Sequence, residues 1–419
     1  MSDMRGFSTF SIVLLYIATI LIDGYILATI LKYSSAKRRK VWTILYEVFS
    51  VMGVALVTQI CCWRGGSEGS SLNALMWMLY IYFSIYVPKF IYLLISVASH
   101  LCGRFFCRKR NKIGYYGSVA GAAVAVLMCA GMWIGVLYTR KAIEVNEVEV
   151  VSPKLPAAFD GYRIVQFSDA HVGTWGNDTS FISELVNEIN ALKPDLVLFT
   201  GDIVNRNTEE LRPFVEVLGR IKAKDGVISV LGNHDYGDYM TWDNDEAHKE
   251  NNQLLHTWEK VMGWDLLNND YRYIVNGSDS IAVIGVENWG EPPFHQYGRL
   301  KESYLPTGDA ASDLNDDRFK ILLSHNPEHW NREVTNISNI DLTLAGHTHA
   351  MQSEIRLFGW KWSPAVFRYP YWGGLYTRQN HTGSVSNLYV NIGCGEVGIP
   401  ARFGAAYPEL TLITLRSEK

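Results

Sequence analysis

The sequence predicts an α+β protein in which an N-terminal region of membrane-spanning helices precedes a soluble domain of strands and helices. Three observations support this prediction. Four long apolar segments occupy the first third of the 419-residue chain. In the remainder, apolar runs of strand length alternate with amphipathic stretches of helical period. Five of those apolar runs end in groups of His, Asp and Asn, which indicates a functional site at the edge of a sheet.

The four apolar segments are each long enough to cross a bilayer, which takes roughly 20 residues. Their lack of a polar face excludes ordinary amphipathic helices, and the first is too long for a cleaved signal peptide. We expect a transmembrane region at 1–139, a linker at 140–159 and a catalytic domain at 160–419. The four predicted spans are about Phe7–Leu31, Val41–Trp63, Leu72–Ser99 (interrupted by Pro88 and Lys89) and Ile113–Tyr138.

Basic residues predict the orientation of these spans. The loop between the second and third spans has Arg64 as its single base, whereas the other two loops are strongly basic. By the positive-inside rule the basic loops face the cytoplasm, so the soluble domain lies on the extracytoplasmic side of the cytoplasmic (inner) membrane. Arg140 and Lys141 oppose this weakly. The basic loop residues are Lys32, Lys37, Arg38, Arg39 and Lys40, then Arg104, Arg108, Lys109, Arg110 and Lys112.

The charge and cysteine distributions exclude other classes of protein. Residues 1–139 hold 13 Lys/Arg against 4 Asp/Glu, whereas the remainder holds 25 Lys/Arg against 38 Asp/Glu. An acidic soluble domain is a poor ligand for polyanions, so we expect no nucleic-acid partner. Cys394 stands alone in that domain, which excludes a disulfide framework. Asp23, inside the first span, is either a functional polar group or a helix-packing contact.

The soluble domain shows early strand–helix alternation followed by β-rich sequence, which predicts a sheet-on-sheet core flanked by helices. Helices are predicted at Phe181–Leu192, Leu211–Ile221 and Glu246–Met262. Strands are predicted at Arg163–Ser168, Leu196–Thr200, Val227–Leu231, Tyr273–Val275, Ile281–Val286, Lys320–Ser324, Leu342–Ala345, Leu388–Ile392 and Leu410–Leu415.

Polar groups follow five of these strands and converge if the strands share an edge. The groups are Asp169-Ala170-His171, Gly201-Asp202, Gly232-Asn233-His234-Asp235, His325-Asn326-Pro327 and Gly346-His347-Thr348-His349. Imidazole and carboxylate ligands together suit Zn, Mn or Fe. Seven candidate ligands are too many for one ion, whereas two ions bridged by a carboxylate can hold the attacking and leaving oxygens of a phosphoryl transfer.

These five blocks resemble the D-x-H, G-D, G-N-H-D, H and G-H-x-H pattern of the calcineurin-like metallophosphoesterase superfamily. The similarity covers roughly Arg163–Leu415, and the ending Gly395–Leu415 is similar to the membrane-associated YkuE/YaeI-like branch. The resemblance implies a four-layer αββα metallophosphoesterase sandwich. That branch usually continues G-H-T-H with Gly-Gly-Gln, whereas this chain has Ala350-Met351-Gln352. The resemblance therefore does not predict the shape of the substrate that the site accepts.

The resemblance also implies roles for individual residues. Asp202 bridges two divalent ions (Mn, Zn or Fe), and a hydroxide held between the ions is the nucleophile. His234 faces the leaving-group oxygen, and Asp235 orients the His234 imidazole. The first metal is held by Asp169, His171 and His349, and the second by Asn233, His325 and His347. His295, His329 and His381 match no ligand position and are expected to be surface or core histidines.

We therefore expect a membrane-anchored dinuclear-metal phosphohydrolase whose partners are the lipid bilayer and a phosphorylated, lipid-linked or envelope substrate. One related type of enzyme splits a UDP-diacylglucosamine pyrophosphate on the cytoplasmic face, which the predicted orientation argues against. The alternatives are a phosphodiesterase for soluble nucleotides, or a non-catalytic membrane sensor or scaffold with a structural metal site. The aromatic segment 358–376 is either a packed β-excursion or a lip that contacts acyl chains.

Overall fold

A computed structural model describes residues 9–63, 69–106, 110–292 and 294–418. Phe7, Arg64, Arg108 and Lys109, which entered the span and topology predictions, lie outside these residues. The chain divides into two compact units. We call Met1–Ile134 the helical unit and Gly135–Lys419 the sheet unit.

Four helices in the described part of the N-terminal region are long and apolar enough to cross a membrane. They are α1 (Thr9–Tyr33), α2 (Ala36–Cys61), α3 (Gly69–Phe106) and α4 (Arg110–Leu137). Each coincides with a predicted span, which confirms those predictions apart from shifted ends. Pro88 lies inside α3 and removes one backbone donor without ending the helix, as membrane helices tolerate.

The helical unit has a polar centre at Asp23, whose side chain is almost fully buried. Asp23 accepts hydrogen bonds from Tyr46 Oη (2.9 Å) and Ser50 Oγ (2.6 Å) of α2. It also accepts from Tyr86 Oη (2.9 Å) and Lys89 Nζ (2.7 Å) of α3. These contacts tie three helices together, so they favour the helix-packing interpretation of Asp23.

The described residues of the sheet unit form a large set of strands and helices. Its helices are α5 (Ser180–Ala191), α6 (Val215–Leu218), α7 (Asp245–Val261), α8 (Leu300–Ser303), α9 (Ala310–Asp313) and α10 (Thr335–Ile337). Its strands are β1 (Glu144–Ser152), β2 (Arg163–Phe167), β3 (Leu196–Phe199), β4 (Val227–Ser229), β5 (Trp264–Leu266), β6 (Asp270–Asn276), β7 (Asp279–Gly285), β8 (Lys320–Leu323), β9 (Leu342–Ala345), β10 (Ser353–Leu357), β11 (Trp360–Trp362), β12 (Gly374–Gln379), β13 (Val385–Val390), β14 (Phe403–Gly404) and β15 (Glu409–Ser417).

Among the described residues, these strands form two six-stranded sheets and one small sheet. The first sheet has the order β1-β15-β2-β3-β4-β5, the second β12-β13-β9-β8-β7-β6, and the third β11-β10-β14. Leu198 of the first sheet and Val283 and Leu323 of the second belong to one buried apolar layer. Leu185 of α5 and Leu255 of α7 pack on the other face of the first sheet, and Leu300 of α8 packs on the second. The predicted αββα order is confirmed.

Two local predictions differ from the structure. Residues 144–152, assigned to a linker, form β1, which pairs in parallel with β15 from Glu144↔Glu409 to Ser152↔Ser417. The Glu/Val alternation of this segment is that of an edge strand with one polar face. In place of the predicted helix Leu211–Ile221, the chain forms a 3₁₀ segment, Thr208–Phe214, which contains Pro213, followed by the short α6.

Candidate metal centre

The five predicted polar groups lie at the carboxyl ends of neighbouring strands. β2, β3 and β4 are parallel neighbours in the first sheet, and β8 and β9 are parallel neighbours in the second. The loops that follow them therefore meet at one edge of the sandwich. Three overlapping groups have ligand atoms within 4.8 Å of one another: Asp169–His171–His349, His171–Asp202–His234 and Asp202–His325–His347.

Asp169, His171 and His349 form the first half of the cluster. The Oδ1 atom of Asp169 lies 3.1 Å from Nε2 of His349. The Nε2 atoms of His171 and His349 are themselves 3.1 Å apart. All three side chains are buried, so water does not separate their lone pairs. Two imidazole nitrogens and a carboxylate oxygen thus point at one position.

Asp202 connects this half to the second. Its Oδ2 atom lies 3.6 Å from His171 Nε2 and 3.0 Å from His325 Nε2. His325 Nε2 is in turn 3.2 Å from His347 Nδ1. Asp202 therefore faces ligands from both halves, which is the position that the bridging role requires.

Hydrogen bonds on the outer side of the imidazoles fix which nitrogen faces the cluster. Nδ1 of His171 is 3.0 Å from the carbonyl oxygen of Val204, and Nδ1 of His325 is 2.8 Å from that of Thr200. A carbonyl oxygen only accepts, so both Nδ1 atoms carry a proton, and each Nε2 atom presents a lone pair to the cluster when its imidazole is neutral. His347 is turned the other way, because its Nε2 lies 3.0 Å from the hydroxyl of Tyr369.

Asn233 provides a direct test of whether these residues fit a metal pair. Its Nδ2 donates to Tyr239 Oη at 2.8 Å, whereas its buried Oδ1 has no hydrogen-bond partner among the described residues. Such an orphaned acceptor is costly unless a ligand satisfies it. Metal bonds of about 2.0–2.2 Å place adjacent ligand atoms about 3 Å apart, close to the separations above. The donor set therefore fits two divalent cations.

The backbone of these loops is strained where the ligands lie. Asp169 (φ 53°), His171 (φ 40°), Asp202 (φ 62°), His347 (φ 74°) and His349 (φ 50°) all adopt left-handed conformations. Each costs on the order of 1 kcal/mol for a residue with a Cβ, and such strain clusters at functional sites. These left-handed conformations turn the side chains that follow successive strands toward one point.

Two motif glycines are required because of the carboxylates that lie next to them. A Cβ at Gly232 would collide with Oδ1 of Asp202, and a Cβ at Gly346 would collide with Oδ2 of Asp169. The Gly in each of the G-N-H-D and G-H-x-H blocks therefore allows the backbone to pass directly beside a candidate ligand.

The hydrogen bonds of His234 and Asp235 differ from the expected ones. The His234 imidazole uses Nδ1 to donate to the carbonyl oxygen of Asn205 at 2.6 Å, so Asn205 orients it. The Asp235 carboxylate accepts backbone N–H groups of Asp202 (2.7 Å), Ile203 (2.8 Å) and Gly232 (2.8 Å). Asp235 thus joins the loop after β3 to the loop after β4. These backbone hydrogen bonds take the place of the expected bond between Asp235 and the His234 imidazole.

The electrostatics of the cluster suit metal ligands. Burial alone raises the pKa of Asp202, but His325 and His234 outweigh burial and hold that pKa well below its ordinary range. The pKa of Asp169 is also lowered, against burial, mainly by His349. Burial and then His325 lower the pKa of His347 to about 3. At neutral pH these groups are two carboxylates and a neutral imidazole, the protonation states that bind cations.

His325 is the exception in this set. Burial lowers its pKa, but Asp202 outweighs burial and raises the pKa to about 9. His325 is therefore protonated at neutral pH when Asp202 is its nearest charge. Since a metal ligand must present a lone pair, cation binding at this position displaces one proton.

The sequence did not identify the aromatic residues around the cluster. The Tyr239 ring lies 4.4 Å from that of His234, and the Phe294 ring lies 5.0 Å from that of His347. Tyr369 reaches His347 from the aromatic segment, more than twenty positions along the chain. Tyrosines at such irregular spacing belong to no motif, so only the fold reveals these contacts.

The three unmatched histidines lie where a surface or core role predicts. His295 and His381 are exposed. His329 is fully buried, stacks on Trp289 with ring centroids 5.0 Å apart, and has Nδ1 2.8 Å from Ser324 Oγ.

Comparison with known proteins now identifies the class of this protein. Residues 162–351 match the family described as calcineurin-like phosphoesterase, and residues 5–140 match a probable calcineurin-like phosphoesterase transmembrane domain. The chain belongs to the calcineurin-like phosphoesterase family and is a membrane protein and a metal-dependent phosphoesterase. Every candidate ligand from Asp169 to His349 falls inside the first match.

Several similar proteins are named as metallophosphoesterases or as a pyrophosphatase. The chain is 30% identical over 319 residues to "Uncharacterized metallophosphoesterase YkuE" of Bacillus subtilis, covering 74% of this chain and 99% of that protein. It is 28% identical to "Transmembrane protein with metallophosphoesterase domain" of Danio rerio, covering 81% of this chain and 74% of that protein. It is 31% identical to "UDP-2,3-diacylglucosamine pyrophosphatase LpxG" of Chlamydia muridarum, covering 56% of this chain and 77% of that protein.

Proposed function

We propose that this metallophosphoesterase hydrolyses a phosphoester or pyrophosphate bond in a lipid-linked substrate, on the extracytoplasmic side of the cytoplasmic membrane. The observation that carries the lipid part of the proposal is a set of exposed apolar side chains in the segment that directly follows the loop of His347 and His349. The basic loops of the helical unit support the orientation.

We call these exposed side chains, Met351, Phe358, Trp360 and Phe367, the apolar lip. Met351 is 46% exposed, Trp360 57% and Phe367 83%, and Phe358 is entirely exposed. Phe358 lies in the turn between β10 and β11, whose strands pair from Leu357↔Trp360 to Ile355↔Trp362. Single exposed apolar residues are ordinary, but several large ones in one short segment mark a binding surface.

The apolar lip is joined to the loop that carries His347 and His349. Ser363 Oγ donates to the carbonyl oxygen of Ala350 at 2.6 Å. Thr348 Oγ1 donates to the carbonyl oxygen of Trp372 at 2.6 Å. These bonds tie the segment of the lip to the loop of candidate ligands, so we expect a lipid that lies on the lip to present its phosphate to the ligand cluster.

The residues of the chain have separable tasks in this reaction. Two divalent cations, when bound, neutralise the phosphate charge and lower the pKa of the attacking water. Asp169, His171 and His349 would hold one cation, Asn233, His325 and His347 the other, and Asp202 both. His234, oriented by Asn205, keeps Nε2 available to hold or deliver a proton at the leaving-group oxygen. Asp235 keeps the loop of Asp202 in place.

A relative adds support for the class of bond. The Chlamydia muridarum protein is named a pyrophosphatase for UDP-2,3-diacylglucosamine, a molecule with two acyl chains beside a pyrophosphate. A lipid-linked pyrophosphate would place its chains on the apolar lip and its phosphates at the metal centre. We propose the same class of substrate for this chain, a lipid-linked pyrophosphate, and not the same molecule.

The lipid proposal is tested by comparing substrates with and without acyl chains. For full-length Phe367→Ser, we expect kcat/KM on a diacyl pyrophosphate in mixed micelles to fall about tenfold or more, because a phenyl contact of about 1.5–3 kcal/mol is lost. Activity on a soluble aryl phosphodiester should stay unchanged. Val261→Ser, an exposed apolar residue at the end of α7 (68% exposed), is the matched control. Equal losses on both substrates would contradict a lipid-binding lip and favour soluble phosphodiesters as substrates.

The orientation is tested separately with a reporter enzyme fused after Lys419. We expect activity from a reporter that folds only outside the cytoplasm, and none from one that works only inside. The reverse result would move the proposed substrate to lipid precursors of the cytoplasm.

A further inference from the structure

The helices of the helical unit border an open apolar groove of about 470 Å³, which we call the cavity. Its walls include Ile26 and Ile30 of α1, Trp42 of α2, and Ala122 and Val126 of α4. This volume falls within the range of about 300–1,000 Å³ typical of small-ligand sites. All of its lining residues belong to the helical unit.

The cavity has the dimensions of an extended hydrocarbon chain. Along α1 and the residue after it, the lining runs from Ile26 to Ser34, and on α4 it runs from Tyr115 to Val126, on one face of each helix. At 1.5 Å per residue these stretches are about 12 and 16 Å long. An open apolar groove that follows two helices for this distance suits an extended acyl chain.

Hydroxyl groups in the cavity wall are already hydrogen-bonded within the protein. Thr29 Oγ1 donates to the carbonyl oxygen of Tyr25 at 2.9 Å, and Ser118 Oγ donates to that of Gly114 at 2.8 Å. Tyr33 Oη pairs with His100 Nε2 at 2.9 Å. Since these three hydroxyls have partners within the protein and most of the other lining side chains are apolar, the part of a ligand that lies in the cavity should be apolar.

The inner end of the cavity carries a neutralised charge. Lys89 lines it, but Lys89 Nζ is 2.7 Å from Asp23 Oδ1. The ammonium also lies 4.3 Å from the Tyr86 ring centroid and 5.3 Å from that of Tyr46. An anionic group is therefore not required at this end, and the charged part of a ligand belongs at the other.

The other end, at Ser34 and Trp42, adjoins the turn between α1 and α2. That turn and its flanks carry exposed basic residues: Lys32, Lys37, Arg38, Arg39 and Lys40. A ligand with an apolar chain in the cavity and an anionic headgroup at this turn would meet complementary surroundings at both ends. Each basic residue near a headgroup contributes about 1 kcal/mol to anionic lipid binding.

From this arrangement we infer that the helical unit binds one acyl chain of an anionic phospholipid, with the headgroup held by the basic turn at 32–40. The site is distinct from the metal centre and does not depend on the proposed substrate. Its occupant is a lipid of the surrounding bilayer.

The inference is tested by binding, independently of catalysis. Delipidated full-length protein in detergent is titrated with dioleoyl phosphatidylglycerol or dioleoyl phosphatidylcholine, and bound lipid is counted by native mass spectrometry. Ala122→Trp places an indole in the cavity, and Ala123→Trp, next on the same helix and not in the cavity wall, is its control. We expect wild type and Ala123→Trp to retain phosphatidylglycerol, and Ala122→Trp to bind it at least tenfold more weakly.

The headgroup part is tested with Lys37→Ala/Arg38→Ala. Each lost charge should weaken phosphatidylglycerol binding about fivefold, while phosphatidylcholine binding stays the same. Size-exclusion chromatography verifies folding, and Ala122→Leu replaces Ala122→Trp if the larger side chain causes aggregation. Equal binding of both lipids by wild type would overturn the anionic ligand, and undiminished binding by a folded Ala122 variant would overturn the cavity site.

Discussion

Asp23 in the helical unit and Asp202 in the sheet unit are both almost inaccessible carboxylates, 3% and 2% exposed. Their surroundings differ in kind. The groups around Asp23 are hydroxyls and an ammonium, each of which donates a proton to it. The groups that face Asp202 Oδ2 are imidazole nitrogens of His171 and His325, 3.6 and 3.0 Å away, which present lone pairs once His325 is neutral.

This difference separates a structural polar cluster from a ligand-binding one. Around Asp23, acceptors and donors are matched within the protein, so the cluster is complete and ties helices together. Around Asp202, the lone pairs of its carboxylate and of His171 Nε2 face each other, His325 Nε2 adds a third once it loses its proton, and the orphaned Oδ1 of Asn233 adds a fourth. Divalent cations satisfy such a set of acceptors, which is why it predicts metal binding.

The largest effect that this comparison predicts is at the acceptor-rich cluster. Asp202→Asn keeps the side-chain shape but removes the charge facing both halves, so we expect phosphoesterase activity to fall by about 10³-fold or more. Metal analysis should find fewer than two ions per chain. Glu216→Gln, at a carboxylate that is 83% exposed, is the control. A folded Asp202→Asn enzyme with two ions and full activity would break the comparison.

At the cluster around Asp23, where donors and acceptors are matched, a substitution should change the stability of the protein and leave metal binding unchanged. Asp23→Asn leaves Lys89, whose side chain is 15% exposed, without its counter-charge. Removing one partner of such a buried pair costs about 3 kcal/mol, so thermal unfolding in detergent should shift downward with unchanged metal content. The double variant Asp23→Leu/Lys89→Met should recover most of that stability. Metal loss in Asp23→Asn would show that the cluster is not purely structural.

Glu259 sharpens the comparison because it is a buried carboxyl that has neither a full set of hydrogen-bond donors, as Asp23 has, nor a candidate cation site, as Asp202 has. Its carboxyl accepts from Ser229 Oγ, and its Oε1 has no hydrogen-bond partner among the described residues. Burial raises its pKa from an ordinary 4.5 to about 8. A carboxyl with neither a cation nor enough donors thus stays protonated at neutral pH.

The sign of the resulting pH dependence follows from this shift. Because the folded-state pKa of Glu259 is raised, its contribution to stability is complete below the unfolded pKa and is lost as the pH rises through about 8. Between pH 6 and pH 8.5 the folded state should lose about 2–3 kcal/mol from this group. Glu259→Gln should flatten the apparent Tm over this range, and Glu250→Gln, exposed on the same helix, should not. Parallel wild-type and Glu259→Gln curves would contradict the assignment.

The smallest predicted effect concerns the outer contact of a ligand. Tyr369→Phe removes the hydroxyl 3.0 Å from His347 Nε2, and losing such a partner weakens metal affinity about tenfold. Competition with a chelator measures this affinity without an activity assay. Tyr371→Phe, whose ring packs on Trp330 with centroids 5.3 Å apart, is the control. Equal metal affinities in wild type and Tyr369→Phe would remove Tyr369 from the metal centre.

The membrane helices, most strands and the candidate ligands could all be predicted from the sequence. A membrane helix is a local property, since about 20 apolar residues suffice to indicate it. Strands such as Leu342–Ala345 were predicted to the residue because buried parallel strands are short and uniformly apolar. The ligands from Asp169 to His349 were predictable because each directly follows a strand, so neighbouring strands bring them together.

What the tertiary structure alone decided are contacts between distant segments. β1 was taken for a linker because its partner, β15, lies more than 250 residues further along the chain. Asn205, not Asp235, orients His234, and Tyr369 orients His347, since hydrogen-bond partners depend on which loops lie side by side. The matched donors of Asp23 likewise come from two other helices. Spacing along the chain predicts which residues reach the site, but the direction of each lone pair is set only when the loops are packed together.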